Sequence, residues 1–90
     1  WEKTRTVFTQ GATAEYMLYA AGEKGEIGLS ADFDGATIEI EENGEVRLRT
    51  TVSGERNLTI PLAQTGDRTL RISCHKGSFM LDTISYTKQQ

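Results

Sequence analysis

Ile38-Glu39-Ile40-Glu41-Glu42-Asn43-Gly44-Glu45-Val46-Arg47-Leu48-Arg49-Thr50 decides the fold class. Apolar and charged residues alternate on both sides of Asn43-Gly44. That period of two puts Ile38 and Ile40 on one face of a strand and Val46 and Leu48 on one face of the next, with Arg47 and Arg49 toward water. Asn-Gly between two such runs signals a hairpin. A two-residue turn would set Ile40 opposite Arg47. A three-residue loop, Glu42-Asn43-Gly44, instead pairs Glu41 with Glu45, Ile40 with Val46, Glu39 with Arg47 and Ile38 with Leu48. Apolar then meets apolar and acid meets base. A slip of one residue flips every side chain, so the second register is the expected one, with Gly44 left-handed in a G1 bulge.

The same pattern continues outward in both directions. Stretches rich in Thr and β-branched residues run over Glu2–Phe8, Glu15–Ala20, Glu26–Ala31, Ala36–Glu41, Glu45–Val52, Asn57–Leu62, Arg68–His75 and Phe79–Lys88. Turn residues separate them, including Asp34-Gly35, Ser53-Gly54, Thr65-Gly66 and Gly77. The expected inward sets are Tyr16, Leu18 and Ala20; Ile27, Leu29 and Ala31; Leu58, Ile60 and Leu62; Leu70, Ile72 and Cys74. Arg71 falls on the outer face. In the last stretch Phe79 and Leu81 share one parity and Ile84 and Tyr86 the other, which predicts a β-bulge near Asp82-Thr83. No helical pattern exceeds about two turns. About eight short strands predict an all-β, two-sheet antiparallel β-sandwich of the jelly-roll kind.

Ninety residues make a single domain, 1–90. A start at Trp1 without Met points to a module of a larger protein. Thirteen acidic residues against ten Lys and Arg give a net charge of −3, the wrong sign for a nucleic-acid binder. No apolar run approaches the ~18 residues of a membrane helix. The expected partners therefore include neither nucleic acid nor membrane. With one cysteine, Cys74, no internal disulfide forms.

Catalytic chemistry finds little support. Cys74 and His75 are adjacent in a strand, so they point to opposite faces and are poorly placed to form a nucleophile–base pair. Glu39, Glu41, Glu42 and Glu45 flank a hairpin and read as a solvated face. Asp32-Phe33-Asp34-Gly35 opens like a calcium loop, but the twelfth position is Asn43 rather than Glu, so it reads as a turn. No enzyme activity is expected.

Four segments of the second half follow one another in order: Asn43-Gly44-Glu45, Asn57-Leu58-Thr59-Ile60-Pro61-Leu62, Thr65-Gly66-Asp67-Arg68-Thr69-Leu70-Arg71-Ile72 and Gly77-Ser78-Phe79-Met80-Leu81-Asp82-Thr83-Ile84. Together they resemble the galactose-binding-like jelly rolls of carbohydrate-binding modules of the family 6 and family 35 type, over residues 36–88. Tyr16-Met17-Leu18-Tyr19-Ala20-Ala21 looks like an early strand of that family. The resemblance implies a non-catalytic module that binds a polysaccharide or oligosaccharide and targets an attached glycan-degrading catalytic domain. It implies an extracellular or periplasmic monomer. The alternative is a structural accessory sandwich without a ligand of its own.

Asp82 stands where the family's last strand helps hold a structural calcium. The family's first calcium strand, Glu-x-Glu, is replaced by Trp1-Glu2-Lys3-Thr4, so no cofactor is otherwise expected. Met80 replaces a cleft Asn, and Ser53–Asn57 carries no aromatic residue. Sugar binding needs aromatic faces beside planar hydrogen-bonding groups. The aromatic candidates are Trp1, Tyr16, Tyr19, Phe33, Phe79 and Tyr86, of which Tyr16 and Tyr86 fall on inward rows and Trp1 and Tyr19 can serve as platforms. Glu55, Arg56 and Asn57 are expected to meet His75 and Lys76 at one end of the sandwich. That pooled site would suit an acidic or amidated ligand.

Overall fold

The computed structural model describes residues 2–20 and 24–88, with the side chains of 6–19 and 24–88; Trp1 lies outside the described residues. Within them the chain forms five strands and no helix: β1 (Glu2–Thr9), β2 (Thr13–Ala20), β3 (Glu26–Glu42), β4 (Glu45–Pro61) and β5 (Gly66–Thr87). All pairing is antiparallel. β5 pairs with β1 and β2 on one edge and with β3 on the other, and β3 pairs with β4. The result is an all-β antiparallel sheet compatible with a β-sandwich.

Six of the eight expected strands merge in pairs into three long ones. Asp34-Gly35, Ser53-Gly54 and the Gly77 region carry turn signatures, yet the strands run through them. The reason is geometric. β5 has 22 residues and would span about 70 Å if straight. The longest dimension of the molecule is 35 Å, so β5 must bend. Gly35, Gly54 and Gly77 lie near the middles of β3, β4 and β5 and take φ of 58°, 78° and 71°. The registers of β3 with both neighbours shift at this level. At Gly77 a Cβ would come within 2.8 Å of the Gly35 carbonyl oxygen, so the bend requires glycine there on steric grounds as well.

Just beside the bend, Phe8, Phe79 and Phe33 pair across β1, β5 and β3, and Gly54 ends the row on β4. Phe8 and Phe79 stack with centroids 4.5 Å apart, and Phe33 tilts against Phe79 at 5.2 Å. These rings join Ile27, Leu29, Ile38, Ile40, Ile72 and Leu81 in one buried cluster fed by both halves of the long strands. Each such side chain contributes roughly 1.5–3 kcal/mol by leaving water. The expected bulge in the last strand is present: Ser30 pairs with Thr83 and Ala31 with Leu81, leaving Asp82 as the extra residue.

The hairpin departs from the expected register. Glu42 pairs with Glu45, Glu41 with Val46, Ile40 with Leu48 and Glu39 with Arg49. The turn has two residues, Asn43 and Gly44, with φ of 49° and 85°, the sign pattern of type I′. Arg47 is the extra residue of a bulge in β4. Apolar still meets apolar at Ile40 and Leu48, but a bulge rather than a longer loop restores the parity. The correction moves three side chains. Val46 is exposed rather than buried. Arg47 is half-buried, and Glu39 faces Arg49 instead of Arg47.

Glu42 is the largest departure from the solvated acidic face, because it is buried. Its carboxylate accepts hydrogen bonds from Arg47 Nε at 2.8 Å, Ala63 N at 2.9 Å and Gln64 N at 3.2 Å. Burial pushes its carboxyl group up, but those N–H donors and the Arg47 charge outweigh burial and hold it below the ordinary glutamate value. Buried Arg68 lies 3.9 Å away. It donates to the carbonyl oxygens of Gly66, Lys24 and Gln64, and its guanidinium sits 5.5 Å from the Tyr86 ring centroid. This cluster ties the β4–β5 connection to the hairpin base. Asn43 closes the tip onto β5, donating its N–H to Thr69 O and accepting from Thr69 N, both at 2.9 Å.

Candidate functional site: a polar groove across β3, β4 and β5

Alternation puts Ile27, Leu29, Ala31 and Phe33 of β3 into the core, so Gly28, Ser30 and Asp32 face out. The register then builds three rows across three strands: Glu55–Asp32–Met80, Asn57–Ser30–Thr83 and Thr59–Gly28–Ser85. A Cβ on Gly28 would stand 2.9 Å from Ser85 Oγ, so glycine keeps this part of the floor low. The bulge at Asp82 lets the strand keep Leu81 and Ile84 buried while Asp82 and Thr83 stay partly exposed between them.

These rows line a cleft of about 420 Å³ bounded by Ser30, Ala31, Asp32, Glu55, Arg56, Asn57, Met80 and Asp82. A shallower depression of about 360 Å³ continues from it through the shared residues Ser30 and Asn57 toward Thr59 and Ser85. Since adjacent strands lie about 4.8 Å apart, the trough is about 10 Å wide. Its lining is mainly hydroxyl, amide and carboxylate, with no aromatic ring among the described residues. Three carboxylates and one guanidinium border the cleft itself.

The structure brings together Glu55, Arg56, Asn57 and Asp82 but leaves the other described sequence candidates elsewhere. His75 and Lys76 sit beyond the Gly77 bend, on the opposite side of β3 from β4. His75 Nε2 lies 3.0 Å from Glu39 Oε2, and Lys76 is opposite Thr37. The expected pooling of these cations with Arg56 does not occur. Tyr19 is 75% exposed on β2, opposite Asp67 and apart from the groove. Phe33 and Phe79 are buried core rings, and Tyr16 and Tyr86 pack against that core. Cys74 and His75 do diverge: the buried thiol points toward the carbonyl oxygens of Lys76 and Gly77, and His75 reaches the outer-face Glu39.

No group of three or more His, Cys, Asp or Glu side chains among the described residues is disposed to hold a metal ion. Ser30, Asp32 and Thr83 were missed as site residues. Their signal was available in the outward parity of Gly28, Ser30 and Asp32 between buried Ile27, Leu29, Ala31 and Phe33.

No family model matches the chain, and no curated protein matches it by sequence. Solved structures do match. The family 36 carbohydrate-binding module of a multidomain xylanase from the hindgut metagenome of Trinervitermes trinervoides superimposes with a TM-score of 0.72 at 13% identity, covering 100% of this chain and 88% of that one. A family 36 module solved with calcium and xylotriose gives 0.68 at 14% identity, over 90% of this chain and 78% of that one. A family 6 module from Clostridium stercorarium solved with cellobiose gives 0.69 at 12% identity, over 94% and 82%. At such identities the match speaks for architecture, and it agrees with the jelly-roll resemblance in the sequence. The chain has the fold of the family 6 and family 36 carbohydrate-binding modules.

Proposed function

We propose that this chain is a non-catalytic carbohydrate-binding module whose ligand lies along the trough of β3, β4 and β5. The observation that carries the reading is the continuity of that trough. Two depressions join through Ser30 and Asn57 and offer hydroxyl and amide groups on three adjacent strands. An extended glycan needs many shallow polar contacts rather than one enclosed pocket. The structural neighbours solved with xylotriose and cellobiose support that class of ligand.

Glu55, Asn57, Ser30 and Thr83 would hydrogen-bond sugar hydroxyls, and the half-buried thioether of Met80 would offer an apolar edge. The two halves of the bent sheet would act as the two layers of the jelly roll. In this reading the module works as an extracellular or periplasmic monomer. It would be attached to a glycan-degrading enzyme and hold that enzyme near its polysaccharide by raising effective concentration. The lack of an aromatic ring among the described residues of the groove favours a second reading, an accessory sandwich that packs against a catalytic domain.

Affinity electrophoresis through gels containing xylan, mixed-linkage glucan, galactan or chitosan separates the two. Retardation by one polymer, weakened by Asn57→Ala, supports the first reading. Unretarded migration through all of them supports the second.

A further inference from the structure

We infer that the free edge of β2 pairs with β2 of a second copy of this chain, joining two modules through one continuous antiparallel layer. The inference does not depend on what the trough binds. Among the described residues β1, β2 and β4 are each paired on one side only. Two of these edges are blunted. β1 shifts register between Lys3 and Thr6 and carries Lys3 and Arg5. The β3–β4 pairing shifts twice, and β4 carries Arg47, Arg49, Arg56 and Pro61. Bulges, cations and proline keep a sheet edge from recruiting another strand. β2 has none of them. It matches β5 without a shift from Thr13 to Ala20, and its one charged residue, Glu15, is bridged by Arg71 at 3.0 Å.

The free backbone groups can be assigned. Met17 lies opposite Thr69. The N–H and C=O of Thr69 both bond to Asn43, on the β3 side of β5 and away from β2. In an antiparallel strand the two backbone groups of a residue point the same way, and the direction alternates along the chain. Met17 therefore aims its N–H and C=O away from β5, as do Thr13, Glu15 and Tyr19. Their side chains are exposed too, Met17 at 45% and Tyr19 at 75%.

Extended polypeptide matches that row of donors and acceptors, and β2 matches it itself. A two-fold axis through Met17 keeps both faces continuous. It sets Met17 against Met17 of the partner subunit, Glu15 opposite the partner's Tyr19 and Tyr16 opposite the partner's Leu18. No carboxylate meets another, and the outward pairs exchange about six backbone hydrogen bonds. Stable interfaces take about 20–30 residues a side. With only the 8 residues of β2 on each side, the pair is weak, with Kd on the order of 100 μM. A single chain is therefore the form in dilute solution. β2 pairs with residues 66–73 of β5, whereas the trough lies beyond the Gly77 bend, so pairing leaves it open in both copies.

The test is sedimentation equilibrium of the chain from about tenfold below to about tenfold above that Kd. The average mass should rise from that of one chain toward that of two, and amide exchange at Thr13, Glu15, Met17 and Tyr19 should slow in step. Met17→Lys puts like charges on the axis and should weaken pairing by about tenfold or more, as should Met17→Glu. An equimolar mixture of the two variants should pair again. Thermal melts check that each variant is folded, and the mixture tests the register with both. A mass fixed at one chain throughout leaves the edge to a strand of another protein and overturns the inference. So does association that both variants leave unchanged, or a mixture that pairs no better than either variant alone.

Discussion

Replacing Glu42 should destabilise this protein far more than replacing any other acid of the hairpin. Its side chain is fully buried while Arg47 is 20% exposed, so the pair lies at the rim of the core. Glu42→Ala leaves Arg47 Nε and the N–H groups of Ala63 and Gln64 without their acceptor. Breaking a buried pair costs roughly 3–5 kcal/mol, and water access at the rim argues for the lower end, about 3 kcal/mol. In a domain of this size each kcal/mol moves Tm by about 4–8 °C, so the melt should fall by about 12–24 °C. Glu42→Gln should fall between, because one oxygen can still accept while its amide meets further donors.

The pH dependence follows from the sign of the shift. The folded carboxyl group titrates below its ordinary value. Its stabilising contribution is therefore present above the unfolded value of about 4.3 and is lost as pH falls through the folded value. The gap between parent and Glu42→Gln should be constant near neutrality and close in acid. Thermal melts followed by circular dichroism from neutral pH into acid measure both effects. A Glu42→Ala melt within about 4 °C of the parent, under 1 kcal/mol, would refute the buried clamp.

Gly77→Ala should cost more than about 2 kcal/mol, because it combines a positive φ with a clash against the Gly35 carbonyl; a chemical denaturation curve reports it. Val46→Thr should change stability by less than about 0.5 kcal/mol in the same assay, since the bulge at Arg47 leaves Val46 in water, and a cost above about 1 kcal/mol would restore the longer-loop register. Burial pushes the Cys74 thiol up, so a thiol reagent should label it slowly in native protein and completely in denaturant; rapid native labelling would contradict its burial.

Much of the fold was legible because the period of two held over long stretches. Ile27-Leu29-Ala31, Leu70-Ile72-Cys74 and the parity change after Leu81 predicted the buried face and the bulge at Asp82. The bends were not legible, because a glycine in a strand interior has the same local signature whether the chain reverses or kinks and continues. Counting a turn at Gly35, Gly54 and Gly77 turned three long strands into six short ones. The hairpin register failed for a related reason. Apolar matching identified Ile40 and Leu48 as members of one row but could not choose between an extra loop residue and a bulge.

The clamp was within reach of the same reasoning. Ile38-Ile40-Glu42 and Arg68-Leu70-Ile72 each continue an inward row, so opposite charges at the ends of two neighbouring strands were signalled to meet inside. At the groove, Glu55, Arg56, Asn57 and Asp82 came from the sequence. The separation of Glu55, Arg56 and Asn57 from His75 and Lys76 depends on β3 lying between β4 and β5, a pairing order that alternation does not encode. Asp32 entered the site through that same order.

Titration of the isotopically labelled chain with xylan, cellulose and glucosamine oligosaccharides, followed by amide chemical shifts, tests the groove most directly. The account predicts saturable shifts concentrated at residues 28–32, 55–59 and 80–85, with β2 and the His75–Lys76 segment unmoved. Shifts centred on Tyr19 or His75, or a spectrum that no glycan perturbs, would contradict it.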